Sequence, residues 1–131
     1  MNFKKIIGLV VTTLALNIII LGDVNAASVT AKCTVKANRS KISVDADGLG
    51  NGSYRASARS GTSAAVYSKN LKTPVGDEVE FDFDSNTADI KAGATAIPVN
   101  FIKGNRVVGN IYKRNSTGTL SLVGSVGATC K

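Results

Sequence analysis

The chain has 131 residues, with 16 lysines and arginines against 9 acidic residues, two cysteines and no histidine. The absence of histidine excludes Ser-His-Asp and Cys-His nucleophile systems, together with metal sites built on imidazole. The net charge of +7 favours contact with anionic surfaces or polymers, although an ordinary exported domain can carry a similar charge.

The N-terminus has the three parts of a secretory signal peptide. Lys4 and Lys5 form a positive start, residues 6–21 are almost wholly apolar, and small residues lead to a cleavage position after Ala26. The apolar run is short for a membrane span and no charged cluster follows it, which disfavours a retained anchor. The sequence therefore predicts a cleaved leader over residues 1–26, of a length typical of bacterial exports, and a secreted or periplasmic protein that does not span the membrane after cleavage.

Removal of the leader leaves residues 27–131, which are enough for one domain. Both cysteines, Cys33 and Cys130, lie in this part, and an oxidising compartment favours their pairing. The disulfide would close nearly the whole mature chain into one loop. It would thereby tie the first predicted strand to the last.

The first half of the mature chain alternates between apolar and polar residues, with short Gly-, Asn- and Ser-rich turns between the alternating segments. An alternation with period two is typical of half-buried strands. The predicted strands of this half are 28–37, 42–46, 54–59 and 64–68.

The second half begins with a linker over residues 69–77 and then the clearest alternation in the chain, in which Val79, Phe81 and Phe83 point inward. One helical turn is expected at 87–91, and a hairpin loop at Lys103-Gly104-Asn105-Arg106. The further predicted strands are 78–84, 94–102 (a central strand interrupted at Pro98), 107–113 and 119–129.

About seven or eight short strands without a helical period predict an all-β fold. The favoured architecture is a single small β-sandwich of residues 27–131 whose terminal strands are tied by the disulfide, with a small barrel as the alternative. The sandwich is similar to immunoglobulin-like domains in architecture only. The chain has no tryptophan, and its cysteines lie at the ends of the domain.

Acidic residues form a row on the outward side of the predicted strand 78–84. The row consists of Glu78, Glu80, Asp82 and Asp84. The favoured interpretation is a solvent-facing strip paired across strands with basic residues such as Arg55 and Arg59. The third and least favoured interpretation is catalysis by paired carboxylates, because neither a cleft nor a sugar-stacking tryptophan accompanies them.

A calcium site is the second interpretation of this region and is favoured over catalysis. The run Asp82-Phe83-Asp84-Ser85-Asn86 matches the start of an EF-hand loop, but the glycine and the bidentate glutamate of that loop are missing. The candidate ligands are Asp82, Asp84, Asn86 and Asp89. The sequence indicates no other cofactor.

Basic residues are spread over the first two predicted strands. They are Lys32, Lys36, Arg39 and Lys41. They are candidates for contact with an anionic glycan or envelope surface, and a solvated face is the alternative. Nucleic-acid binding is not expected, because aromatic residues are not interleaved with clustered cations.

The residues favour a non-enzymatic exported module for binding, adhesion or association with the cell envelope, because no catalytic set can be assembled. The alternative is a secreted inhibitor or toxin-like effector of a protein partner. Its loops at Gly48–Gly52 and Asn115–Gly118 would then enter that partner. The sequence alone identifies no specific partner.

Overall fold

The protein is a β-sandwich of two four-stranded sheets in a computed structural model that describes residues 27–131. The predicted signal peptide, residues 1–26, lies outside the described residues. The elements are β1 (Ser28–Lys36), β2 (Arg39–Asp47), β3 (Tyr54–Arg59), β4 (Val66–Tyr67), β5 (Val79–Asp84), α1 (Thr87–Lys91), β6 (Thr95–Ala96), β7 (Arg106–Arg114) and β8 (Leu120–Thr129). The predicted all-β fold is confirmed in its sandwich form, and the barrel alternative is not.

Sheet A has the strand order β1-β2-β5-β6, and sheet B has the order β8-β7-β3-β4. Neighbouring strands are antiparallel except β5 and β6, which are parallel. The β7–β8 ladder contains one irregularity, where Ile111 lies opposite Gly124 but Tyr112 lies opposite Leu122. The extra residue of this β-bulge is Val123, on β8.

The core lies between the sheets and contains the apolar residues that the alternation assigns to the inner faces. Phe81 and Phe83 of β5 and Ile42 and Val44 of β2 are buried from sheet A. Sheet B contributes the small residues Ala56 and Ala58 between larger ones, Tyr54 on β3 and Val107 and Ile111 on β7. Pairing large side chains with small ones across the two faces fills the space between sheets without a tryptophan.

Two glycines on sheet B let the sheets approach closely. A Cβ atom at Gly109 would lie 2.9 Å from Cγ2 of Val44, and one at Gly124 would lie 2.6 Å from Cγ2 of Val29. Val44 is fully buried, so it has no free space to move into. The separation of the sheets at this point therefore requires glycine.

The disulfide between Cys33 and Cys130 is present, as predicted. It joins β1 to the residue that follows β8, and the Cα atoms of the two cysteines are 4.6 Å apart. Lys131 then pairs with the edge of β1: its N–H donates to the carbonyl of Cys33, and its carbonyl accepts from the N–H of Val35. The chain thereby passes from β8 of sheet B to the edge of sheet A, where Lys131 pairs with β1.

The predicted helical turn is confirmed, and the predicted hairpin loop is a tight turn that has a strand of the sheets only on its second side. The helix α1 spans Thr87–Lys91. In the loop, Gly104 and Asn105 both have positive φ, 59° and 56°, and Lys103 and Arg106 form a bridge. Two consecutive residues of this conformation are typical of a tight hairpin turn.

The predicted central strand over 94–102 is wrong. Only Thr95–Ala96 is a strand, and it lies at the edge of sheet A. Beyond it the chain turns, with the N–H of Phe101 donating to the carbonyl of Pro98. The apolar residues Ile97, Phe101 and Ile102 are buried from this loop, so their apolar pattern reflects burial rather than a strand.

The predicted strand 64–68 is also shorter in the structure, where it covers Val66–Tyr67 at the edge of sheet B. Within residues 27–131, no helix has the length and apolar character needed to cross a bilayer.

Candidate binding surface

Arg39 links the acidic residues at one end of β5. Its guanidinium donates to both carboxylate oxygens of Asp84, at 3.0 and 2.7 Å, and to Oδ2 of Asp89 at 2.9 Å. Asp84 is buried, with 1% of its side chain exposed, while Asp89 lies on α1 and is partly exposed. A bidentate arginine is the geometry that best stabilises a buried carboxylate.

The charge of Asp84 is held by this arrangement. Burial by itself would raise the pKa of Asp84, but hydrogen bonds from Arg39 and from the N–H of Asn86, with the nearby charges of Arg39 and Lys41, lower it below its ordinary value. Asp84 therefore remains ionised inside the fold. The Arg39–Asp84 pair joins the start of β2 to the end of β5, and the Arg39–Asp89 contact holds α1 beside them.

The four candidate calcium ligands have protein partners. Asp84 and Asp89 bind Arg39, and Asp82 accepts a hydrogen bond from the hydroxyl of Ser43 at 2.6 Å. Asn86 caps α1, since its side chain accepts from the N–H groups of two residues in the first turn. Among residues 27–131 no group of three or more His, Cys, Asp or Glu side chains is arranged to hold a metal ion.

The predicted pairing of the acidic row with Arg55 and Arg59 is wrong. Both arginines lie on β3 of sheet B, whereas the row belongs to β5 of sheet A. Because the outer faces of the two sheets point away from each other, these side chains cannot meet. The arginine that forms a salt bridge with the row is instead Arg39, on the neighbouring strand β2, and it pairs with Asp84.

Asp45 adds an unexpected member to the acidic surface. It lies directly opposite Glu80 across the β2–β5 pair, and its Oδ1 is buried without a hydrogen-bond partner within residues 27–131. Burial, and then the charge of Glu80, raise the pKa of Asp45 to about 6, with smaller contributions from Asp82 and Glu78 and an opposing one from Lys32. The outer face of sheet A thus concentrates negative charge.

The predicted basic residues do not form one surface. Lys32 and Lys41 line a groove of about 240 Å³ on the outer face of sheet A. Lys36 is exposed at the end of β1, and Arg39 is engaged by Asp84 and Asp89. Lys41 also lies opposite Asp84 in the β2–β5 register, so carboxylates accompany the cations of this face.

Sheet B has the opposite character, because none of its four strands contains an acidic residue. Every Asp and Glu of residues 27–131 lies between Asp45 and Asp89, on β2, β5, α1 or their adjoining loops. The stretches 48–76 and 90–131, which supply all of sheet B, contain only cations among their charged residues. Within residues 27–131 the acidic residues are therefore confined to sheet A and the segments that adjoin it, whereas cations lie on both sheets.

The outer face of sheet B carries four arginines and two tyrosines. Since Ala56, Ala58 and Ile111 point into the core, the alternating residues of β3 and β7 point outward. We call this surface the basic face, and its residues are Arg55, Arg59, Tyr67, Arg106, Asn110, Tyr112 and Arg114.

Polar contacts hold the centre of the basic face. The rings of Tyr67 and Tyr112 pack with centroids 5.7 Å apart. Beneath them the Ser57 hydroxyl accepts from the amide of Asn110 at 3.2 Å and donates to the hydroxyl of Tyr112 at 3.4 Å. Within residues 27–131 the arginines of this face make no salt bridge. Their charge is open to an external anion.

A groove lies at one end of the basic face. It has a volume of about 310 Å³, and its lining includes Arg59, Lys103, Arg106, two valines and two glycines. Three cations around one groove, without a carboxylate among the lining residues, are an arrangement that binds anionic groups. We call it the basic groove.

The two loops of the alternative hypothesis lie close together at one end of the sandwich. The N–H of Arg114, just before the loop Asn115–Gly118, donates to the carbonyl of Ser53, just after the loop Gly48–Gly52. Leu49 is buried and its N–H donates to the carbonyl of Asp77. The first loop is thus anchored to the core.

The sequence reasoning missed the basic face, although it contained a signal. Arg55 and Arg59 alternate with the apolar residues of β3, as Asn110, Tyr112 and Arg114 do with those of β7. The absence of acidic residues over 48–76 and 90–131 was equally visible. What was not visible was that β3 and β7 are neighbours, which combines the two rows on one face.

Comparison with families of known proteins and with curated proteins finds no match to this chain. One similar solved structure is catalytically inactive OgpA from Akkermansia muciniphila in complex with an O-glycopeptide substrate, with 10% identity and a TM-score of 0.36. The similar region covers 79% of this chain and 28% of that one. A resemblance this distant carries no functional argument.

Proposed function

We propose that the protein is an exported, non-enzymatic binding module that attaches to anionic polymers of a cell envelope or extracellular matrix through its basic face. The predicted leader over residues 1–26 supports export, and the Cys33–Cys130 disulfide fits an oxidising compartment. The observation that carries the proposal is the uncompensated positive charge on the outer face of sheet B.

The outer faces of the two sheets differ in the carboxylates around their cations. On sheet A, Lys32 and Lys41 lie among Asp45, Asp82 and Asp84, which lower the local positive potential. On sheet B the arginines have no acidic neighbour on any strand. An anionic ligand is therefore attracted to sheet B more strongly than to sheet A.

The residue types on the basic face suit a glycan that carries phosphate, sulfate or carboxylate groups. An arginine guanidinium donates two parallel hydrogen bonds to such groups. Tyr67 and Tyr112 offer aromatic surface and hydroxyls to the sugar rings, and Asn110 can both donate and accept hydrogen bonds. In this proposal the basic groove binds one charged group of the glycan, and the rest of the basic face contacts the adjacent sugar units.

The test is the binding of the full chain, isolated after export, to immobilised dextran sulfate, with neutral dextran as the matched ligand. The variant Arg59→Ala/Arg106→Ala removes two cations from the basic groove. At about 1 kcal/mol for each cation near an anionic surface, we expect the affinity to fall by roughly tenfold to thirtyfold. Added salt should weaken wild-type binding, because the contacts are exposed.

The control variant is Lys32→Ala/Lys36→Ala, which lowers the net charge by the same amount on sheet A. We expect it to bind dextran sulfate nearly as well as the wild type. Equal losses in the two double variants would show a general charge effect and refute a specific face. Retention of one protein partner from envelope fractions, with no retention on dextran sulfate, would favour the inhibitor or effector alternative instead.

A further inference from the structure

The edge of sheet B is formed by β8, a ten-residue strand with no charged residue and no proline. Its sequence is LSLVGSVGAT. Edge strands usually carry lysine or proline, or are very short or covered, because unpaired backbone groups can pair with another strand. The strand β8 has none of these protections along its regular part, Gly124–Thr129.

The hydrogen bonds identify which backbone groups of β8 are open. The N–H of Arg114 donates toward β3 and that of Cys130 donates to the carbonyl of Asn105. Successive residues of a strand direct their backbone N–H and C=O groups to opposite sides. With the β7–β8 register, the backbone groups of Gly124, Val126 and Ala128 therefore bond to β7. Consequently the N–H and C=O groups of Ser125, Gly127 and Thr129 point away from the sheet, and within residues 27–131 they have no backbone partner.

The other edges of the sandwich are protected. The edge strands β4 and β6 have two residues each. The strand β1 carries Lys32 and Lys36, and Lys131 already pairs with it beside Cys33 and Val35. Of the four edges in the described part of the chain, β8 is therefore the one suited to add a strand.

We propose that β8 pairs antiparallel with β8 of a second copy, which joins two B sheets into one continuous eight-stranded sheet. A second copy fits this edge by itself, because antiparallel pairing of one strand with its own copy is symmetric and β8 has no charged residue that would oppose a like charge across the pair. The arginines nearest to the contact lie on β7. In the dimer, β7 of one copy and β7 of the other would be separated by three strand spacings, which is about 14 Å. That distance exceeds the screening length of about 8 Å at physiological ionic strength.

The geometry limits the assembly to a dimer. Antiparallel pairing of one strand with its own copy is symmetric and uses both β8 edges, so it leaves no further β8 edge to extend the sheet. The bulge at Val123 confines the pairing to Gly124–Thr129, where the ladder is regular. The pairing needs no ligand, so it can be tested independently of the proposed function. It would place two basic faces side by side on one surface.

The experiment measures the mass of the exported full chain by sedimentation equilibrium and light scattering, without ligand, from micromolar to near-millimolar concentration. Ser125→Pro removes the open N–H at the edge but no bond to β7, whereas the matched control Ser125→Ala keeps that N–H. We expect a concentration-dependent dimer for the wild type and Ser125→Ala. For Ser125→Pro we expect the dimer to be at least about tenfold weaker, because symmetry removes two hydrogen bonds.

Ser125→Lys provides a second route if the proline variant fails to fold, since it adds a cation to the otherwise uncharged pairing edge of each copy, beside the basic face of the other copy. It should be monomeric while still binding dextran sulfate, which separates the dimer from the proposed function. Amide exchange at Ser125, Gly127 and Thr129 should slow as the wild-type concentration rises. A wild type that is monomeric throughout, or a dimer that both the proline and the lysine variants leave unchanged, would overturn the proposal.

Discussion

Replacing Gly109 by alanine tests whether the close approach of the two sheets is as rigid as the structure indicates. In an ordinary strand, alanine is favoured over glycine by about 0.5–1 kcal/mol, because glycine loses more conformational freedom on folding. At Gly109 the added Cβ would lie 2.9 and 3.1 Å from the two γ carbons of Val44. Val44 is fully buried, so the contact cannot be relieved by turning a side chain into solvent.

We expect the tertiary contact to outweigh the local preference. Overpacking of a well-packed core costs about 1–3 kcal/mol, so Gly109→Ala should lower the free energy of unfolding by about 1–2 kcal/mol. For a domain of this size, 1 kcal/mol corresponds to roughly 4–8 °C in Tm. Urea unfolding followed by circular dichroism, together with a thermal scan, measures both quantities.

Two controls separate the contact from general effects of alanine. Gly50→Ala places a Cβ where no atom lies within 4 Å, so it should leave stability nearly unchanged. In a Val44→Ala background, the cost of Gly109→Ala should fall by at least about 1 kcal/mol, as a double-mutant cycle would reveal. A Gly109→Ala protein as stable as the wild type, or an equal cost in both backgrounds, would refute the reasoning.

Three further predictions concern the crosslink and the two unusual carboxylates. Changing Cys33 and Cys130 to serine together should lower the free energy of unfolding by about 4–5 kcal/mol, since the closed loop spans nearly the whole domain; a loss below about 1 kcal/mol would contradict this. Arg39→Ala should lower Tm most near neutral pH. The lowered pKa of Asp84 gives stability that is present above about pH 4 and is lost as pH falls through the pKa of the folded protein. The difference in Tm between Arg39→Ala and the wild type should therefore disappear in acid, and a difference independent of pH would rule out stabilisation of the Asp84 carboxylate by Arg39. For Asp45, with a pKa raised to about 6, wild-type stability should fall as pH rises from about 4 to 6. Asp45→Asn should therefore be more stable than the wild type at pH 7 and equal to it below about pH 4, and an unchanged pH profile would count against the burial of that carboxylate.

Local features were readable from the sequence because they depend on neighbouring residues. The alternation in β5 identifies Val79, Phe81 and Phe83 as core residues, since successive side chains on a strand point to opposite faces. The helical turn at Thr87–Lys91 follows Asn86, a favoured cap residue that begins it. The pairing of Cys33 with Cys130 needed only a count of two and an oxidising compartment.

Apolar composition alone was ambiguous over 94–102. A buried loop and a buried strand both place apolar side chains in the core, so Ile97, Phe101 and Ile102 predicted a strand that is mostly absent. The backbone turns at Pro98, and the segment closes one end of the core. Periodicity cannot distinguish these cases when the run is short and apolar on both faces.

The sequence by itself determined most of the strands, their inner faces and the crosslink, whereas only the tertiary structure decided which outward residues are neighbours. The register of β2 and β5 brings Arg39 to Asp84 and Asp45 to Glu80, and the pairing of β3 with β7 assembles the basic face. A period of two tells on which face of a strand a side chain lies, but strand order and register depend on contacts between residues far apart in the chain. The binding surface of this protein is made of such contacts.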